Sequence, residues 1–144
     1  MANNTLIIGI GNYGRSDDAL GWKVADYFAE FHQEFDVEYR YQLQIEDAEL
    51  IARYDTVIFT DASREQHKKG FEYSLCKPES FTLYTSHKLP PEHVYWLAKE
   101  LYAANTECWV MAISGYQWEL NQGLSTKARI NLDNAIRFFD KITL

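Results

Sequence analysis

The chain is predicted to form a single α/β domain over residues 1–144, with a mostly parallel sheet and helices on both faces. Apolar strand-like segments alternate with segments of helical periodicity along the whole chain, which is typical of crossover units. Several of the apolar segments lack a polar face, as in parallel strands that are covered on both sides. No linker or low-complexity run divides the chain, and its length suits one domain.

The elements are predicted in an order that crossover connections require. Strands are predicted at residues 5–10, 36–43, 56–60, 71–76 and 108–113, with the fourth at an edge of the sheet. Helices are predicted at residues 17–31, 46–53, 90–103 and after Ser125. Ser16 and Ser125 are expected to cap the first and last helices, because a serine oxygen accepts from the unpaired N–H groups of a first turn.

Composition excludes several function classes. The net charge of -7 disfavours nucleic acid and anionic lipid as partners. Neither a signal peptide nor a membrane span is expected, because the apolar run near the start is short and lacks a basic flank. Cys76 and Cys108 have no metal-binding spacing, so we expect buried, reduced thiols in a cytoplasmic protein.

The first loop contains a glycine pattern and an acidic pair that favour different ligands. Gly9, Gly11 and Gly14 match the G-x-G-x-x-G pattern of dinucleotide sites, which place a pyrophosphate at a helix N-terminus. Asp17 and Asp18 would lie in that first helical turn and repel an anion, although Arg15 offsets part of their charge. A nucleotide- or metabolite-binding module is therefore the second hypothesis.

Carboxylates at the carboxyl ends of two predicted strands suit a cation instead. Either Asp17 or Asp18 alone would be explained by the helix dipole, but as a pair one can cap the helix while the other faces the cleft. Asp61 ends the predicted strand 56–60, where ligands of open α/β sheets bind. A loop acid that bonds to nearby backbone amides is an equally good interpretation of Asp61.

A histidine could complete the ligand set. His87 precedes the predicted helix that begins at the two prolines, and an imidazole with two carboxylates suits nickel or zinc. The three residues are far apart in sequence, so no local spacing tests the set. His67 is the rival ligand, but Lys68 and Lys69 follow it and favour a surface position.

Four motifs together resemble those of the [NiFe]-hydrogenase maturation endopeptidases. They occur in the order Gly9-Ile10-Gly11-Asn12 with Arg15-Ser16-Asp17-Asp18-Ala19-Leu20-Gly21, then Thr60-Asp61-Ala62, Thr85-Ser86-His87 and Gly123-Leu124-Ser125. The first motif is fairly specific, and the others gain value from their order. The resemblance covers nearly the whole chain.

The resemblance implies an endopeptidase that removes the C-terminal extension of a nickel-loaded hydrogenase large subunit. It implies that Asp18, Asp61 and His87 contact the nickel, which the substrate supplies, so the free protein holds no metal tightly. Asp18 or Asp61 would act as general base, and both metal-assisted and aspartic-type hydrolysis stay open. The implied partner is the large-subunit precursor, met in the cytoplasm by a monomer.

Two further alternatives stay open at this point. Four side chains flank the expected cleft and either line a substrate groove or simply pack within loops: Tyr13, Tyr116, Trp118 and Leu120. A relative of the family that has lost its substrate and acts only as an interaction partner is a third functional hypothesis.

Overall fold

A computed structural model describes residues 4–80 and 89–142 of the chain. The strands are β1 (Thr5–Ile10), β2 (Asp36–Arg40), β3 (Thr56–Ser63), β4 (Phe71–Leu75) and β5 (Glu107–Ser114). The helices are α1 (Leu20–Phe31), α2 (Asp47–Ala52), α3 (Pro91–Tyr102) and α4 (Thr126–Lys141), and a 3-10 turn (Ser16–Ala19) precedes α1. Within the described residues, no helix combines the length and the apolar character that crossing a membrane requires.

The five strands form one sheet in the order β2-β1-β3-β5-β4. The first four strands in this order are parallel to one another, whereas β4 runs antiparallel to β5 at the edge. The described part of the chain therefore confirms the predicted α/β class and the edge position of the fourth strand. Parallel strands share one carboxyl edge, so the loops that follow β1, β2, β3 and β5 meet at one end of the sheet.

Helices cover both faces of the sheet and bury a core on each. On one face, Ile7, Ile58 and Met111 pack with Val24 of α1 and Leu132 of α4. The helices α2 and α3 cover the opposite face, and the core there includes Leu6, Val57, Phe59, Ile51 and Val94. Because side chains alternate along a strand, Ile58 faces one layer while Val57 and Phe59 face the other.

The two cysteines lie opposite each other on β5 and just beyond β4. Both are buried, and the Cys76 amide donates to the Cys108 carbonyl at 2.8 Å. Burial raises the pKa of the Cys76 thiol to about 12, and it raises the pKa of Cys108 as well. Both groups therefore stay protonated at neutral pH, and the prediction of buried thiols is confirmed.

Some element boundaries differ from those predicted. The α-helix begins at Leu20 rather than at residue 17, and Ser16 does not cap it. Ser16 adopts a positive φ of 52°, and its hydroxyl donates to the carbonyl of Glu119 at 2.9 Å. This distant contact fixes a 3-10 turn where the sequence alone favours a helix.

Strand lengths differ for similar reasons. β2 ends at Arg40, whose carbonyl accepts from the Gly11 amide and from the Trp22 indole, both at 2.9 Å. β3 runs past Asp61 to Ser63, because β5 continues beside it as far as Ser114.

Candidate functional site

An open cleft lies at the carboxyl edge of the sheet. Its volume is about 330 Å³, and it is lined by Gly11, Asn12, Arg15, Asp18, Tyr41, Arg64 and Trp118. Gly11 directly follows β1, Tyr41 follows β2, and Arg64 follows β3. The cleft therefore has the location that open α/β sheets use for ligands.

The glycines of the first loop make room for the protein's own backbone. A Cβ on Gly11 would lie 2.2 Å from the Asp18 carbonyl oxygen, and a Cβ on Gly9 would lie 2.8 Å from that of Gly21. The Asn12 amide also donates to the Asp18 carbonyl at 3.1 Å. This close packing accounts for Gly9 and Gly11 without a bound phosphate.

Asp17 is completely buried and holds the loop that follows β5. Its carboxylate accepts from the amides of Tyr116 (2.7 Å), Gln117 (2.9 Å) and Ser125 (2.8 Å), and from the Ser125 hydroxyl (2.8 Å). We call these four residues the Asp17 cluster. Burial acts to raise the pKa of Asp17, but the hydrogen bonds outweigh burial and lower it.

The Asp17 cluster also fixes the start of the last helix. Ser125 caps α4 as predicted, with its hydroxyl oxygen accepting from the Ala128 amide at 3.2 Å. The same hydroxyl donates to Asp17, so one serine joins the 3-10 turn to α4. The expectation that one aspartate caps the helix that follows it, α1, is wrong. Asp17 instead accepts hydrogen bonds from the N-cap residue of α4.

Asp18 faces the other way and lines the cleft. The residue is half-buried, and both its backbone N–H and its backbone C=O are hydrogen-bonded. Its amide donates to the Arg15 carbonyl at 3.0 Å, and its carbonyl accepts from Asn12. The two adjacent aspartates therefore have separate positions, one in the interior and one at the surface of the cleft.

Asp61 lies at the same edge of the sheet, on β3, which is the strand next to β1. The neighbouring Thr60 hydroxyl is buried and donates at 2.8 Å to the carbonyl of Gly21, in the first turn of α1. This bond ties the end of β3 to the segment that follows Asp18. Asp61 is half-buried and shares a sheet face with Val57 and Phe59, on the side covered by α2 and α3. It is not among the described residues that line the cleft.

The third predicted ligand, His87, lies outside the described residues. Within residues 4–80 and 89–142, no group of three or more His, Cys, Asp or Glu side chains is arranged to hold a metal ion. The set of Asp18, Asp61 and His87 therefore stays a prediction. His67 is half-buried rather than freely exposed, with its Nε2 atom 3.0 Å from the Ser63 hydroxyl.

Among the aromatic side chains expected at the cleft, Trp118 is the one that lines it within the described structure. The hydroxyl of Tyr13 donates to Asp26 at 2.7 Å, and that of Tyr116 accepts from Asn131 at 2.9 Å. Leu120 is 75% exposed. These three residues have structural or solvent-facing positions.

Sequence reasoning missed two residues that line the cleft, Tyr41 and Arg64. Tyr41 is 69% exposed, and the Arg64 guanidinium lies over the Trp118 ring at 4.4 Å from its centroid. Tyr41 falls inside the strand predicted at residues 36–43, and Arg64 lies four residues beyond the strand predicted at 56–60, so no sequence signal marked either one. Both border the cleft because β2 ends at Arg40 and β3 continues to Ser63.

The fold is that of the [NiFe]-hydrogenase maturation proteases, in agreement with the sequence resemblance. The chain is similar to the maturation protease HycI from Thermococcus kodakarensis KOD1, with 22% identity, a TM-score of 0.74, and coverage of 97% of this chain and 92% of that one. A hydrogenase 2 maturation peptidase from Thaumarchaeota archaeon SCGC_AB-539-E09 is 17% identical, with a TM-score of 0.69 and coverage of 98% and 99%.

A third solved structure gives the same result. The hydrogenase maturating endopeptidase HybD from E. coli is 16% identical, with a TM-score of 0.65 and coverage of 94% of this chain and 88% of that one. No protein-family model and no curated protein sequence matches the chain. At these identities the similarity establishes the fold, and the activity has to be argued from the site.

Proposed function

We propose that the chain is an endopeptidase that removes the C-terminal extension of a nickel-loaded [NiFe]-hydrogenase large subunit. The observation that carries the proposal is the position of Asp18, in a cleft at the carboxyl edge of a sheet whose fold is shared with maturation proteases. Asp61 emerges at the same edge, on the neighbouring strand. The four sequence motifs that resemble the family support the same activity.

The nickel belongs to the substrate. Carboxylate and imidazole donors from Asp18, Asp61 and His87 suit this ion, and in the proposal they contact it only when the precursor is bound. Arg15 and Arg64 line the same cleft as Asp18 and would repel a resident cation. Such a site would bind a metal ion weakly alone and more tightly when the substrate supplies further ligands. The protein would therefore process only a nickel-loaded precursor.

The chemistry required is hydrolysis of one peptide bond. Asp18 or Asp61 would accept a proton from the attacking water, which is the role of a general base. Nickel bound to the substrate would polarise a carbonyl oxygen or acidify a water in the metal-assisted route. In the aspartic-type route the carboxylates would activate the water without that help.

The partner in this reaction is the large-subunit precursor. We propose that the protein meets it in the cytoplasm and acts as a monomer. Sedimentation velocity of the isolated protein would test this directly: a species of the chain mass, 16.8 kDa, is expected, and a species of twice that mass would contradict the monomer.

A processing assay with purified precursor tests the function. Wild-type protein is expected to shorten the nickel-loaded precursor and to leave the nickel-free precursor intact. Asp61→Asn and His87→Ala are expected to abolish processing, whereas Asp133→Asn, a charge change on the exposed face of α4, should not. Processing by both site variants at the wild-type rate would refute the assignment.

A further inference from the structure

Two arginine side chains line the cleft of an acidic protein. Arg15 and Arg64 are exposed, and neither guanidinium lies within ion-pair distance of a carboxylate in the part of the chain that the structure describes. The net charge of the chain is -7, so acidic partners are plentiful elsewhere on its surface. Two arginines that converge on one cleft without such a partner provide donors for an external anion.

Arg64 is oriented by an aromatic ring. Its guanidinium stacks over Trp118, and the Trp118 ring is held against the backbone, since a Cβ on Gly115 would lie 2.9 Å from the ring. Stacking covers the flat face of a guanidinium and leaves the N–H edge exposed. That edge matches the two oxygens of a carboxylate.

Arg15 is fixed through its backbone. Its amide donates to the Asn12 carbonyl at 3.3 Å, and the residue forms a bridge with Asn121 of the loop after β5. The backbone bridge brings the loop that carries Trp118 next to the loop that carries Arg15. The two guanidinium groups therefore belong to segments that are tied together.

We propose that Arg15 and Arg64 form a subsite that binds the carboxylate of an Asp or Glu residue in the peptide substrate, close to the bond to be cleaved. This inference rests on the proposed endopeptidase function and adds a sequence preference to it. Asp18 borders the same cleft, and its charge disfavours a doubly charged phosphate more than a singly charged carboxylate. The exposed Tyr41 ring and Trp118 supply apolar walls for the peptide beside the charge.

The test uses two matched probes, the blocked peptides acetyl-Ala-Glu-Ala-amide and acetyl-Ala-Gln-Ala-amide, with inorganic phosphate as a third. Binding to the full chain is followed by NMR, from the indole signal of Trp118 and the Nε–H signals of arginine. The glutamate peptide is expected to bind and to shift both sets of signals. The affinity for the glutamine peptide is expected to be lower by roughly tenfold or more. Salt should weaken the glutamate complex.

The substitutions Arg15→Gln and Arg64→Gln are each expected to lower the affinity for the glutamate peptide by roughly tenfold. Arg137→Gln, on the exposed side of α4, is the matched control and should bind as wild type does. Equal binding of the two peptides, or unchanged binding in both cleft variants, would overturn the subsite. Phosphate binding without glutamate binding would also overturn it and would point to a phosphate ligand.

The subsite and the proposed function fail separately. Loss of peptide binding in the arginine variants, together with normal processing by Asp61→Asn and His87→Ala, would keep the anion subsite and reject the endopeptidase. Normal peptide binding in the arginine variants, with processing lost in the aspartate and histidine variants, would reject the subsite alone.

Discussion

Asp17 and Asp18 are adjacent in sequence and have opposite environments. Asp17 is completely buried and accepts four hydrogen bonds from a loop and a helix about 100 positions further along the chain. Asp18 is half-buried and borders the cleft. The pair shows how one motif can fill two positions: the first carboxylate fixes the loops at the carboxyl edge of the sheet, and the second lines the cleft.

The largest expected effect distinguishes the two aspartates by activity. Asp18→Asn should lower processing of the nickel-loaded precursor by at least about a hundredfold, because a carboxamide is neither a general base nor an anionic ligand. Its melting temperature should stay near that of wild type, since the side chain is not part of the core. Single-turnover processing and a thermal melt of the same preparation check both statements, and normal processing would remove Asp18 from the site.

The next largest effect is on the stability of the fold and concerns Asp17 rather than Asp18. Asp17→Asn should lower the free energy of unfolding by about 3 kcal/mol, because a carboxamide cannot accept from four donors and leaves buried N–H groups unpaired. Urea denaturation measures the change. A loss within the range of ordinary surface substitutions would show that the Asp17 cluster does not hold the loop.

A smaller loss is expected at the other end of the Asp17 cluster. Ser125→Ala removes the cap of α4 and one of the bonds to Asp17, which should cost about 1–2 kcal/mol. Ser125→Thr keeps a hydroxyl and serves as the matched variant. If alanine and threonine gave the same unfolding midpoint in urea, the hydroxyl would have no role in the cluster.

The smallest expected effect appears only in acid. The pKa of Asp17 in the folded state lies below its ordinary value of 3.8, so its stabilising contribution is present above that pH and is lost as pH falls toward the folded value. Wild type should therefore lose stability more steeply below about pH 4 than Asp17→Asn does. Parallel slopes for the two proteins in urea unfolding at a series of pH values would contradict the lowered pKa.

Much of the fold could be predicted because its signals are local. Buried apolar runs marked the strands, Pro91 starts α3, and Ser125 caps α4. The start of the first helix could not be predicted in this way. The 3-10 turn depends on bonds from Ser16 and Asp17 to residues 116–125, and sequence alone does not show which distant loop will meet the turn.

The site could be predicted in part. Asp18 and Asp61 were both expected at the carboxyl edge, each after a predicted strand. Asp18 lines the cleft there, whereas Asp61 lies inside β3 near the same edge and is not among the described residues that line the cleft. The stacking of Arg64 on Trp118 was not expected, because it depends on how two loops from different strands meet. The grouping of these aspartates with His87 stays a prediction from the family resemblance.

We propose that Asp17 holds the loops at the carboxyl edge of the sheet in place, whereas Asp18 takes part in the reaction. The most direct measurement compares the processing rate per folded molecule for Asp17→Asn and Asp18→Asn, side by side, at a temperature where both are folded. The account predicts that Asp17→Asn stays within about tenfold of wild type and that Asp18→Asn shows no processing above about one hundredth of the wild-type rate. Equal rates for the two variants, or the reverse order, would contradict it.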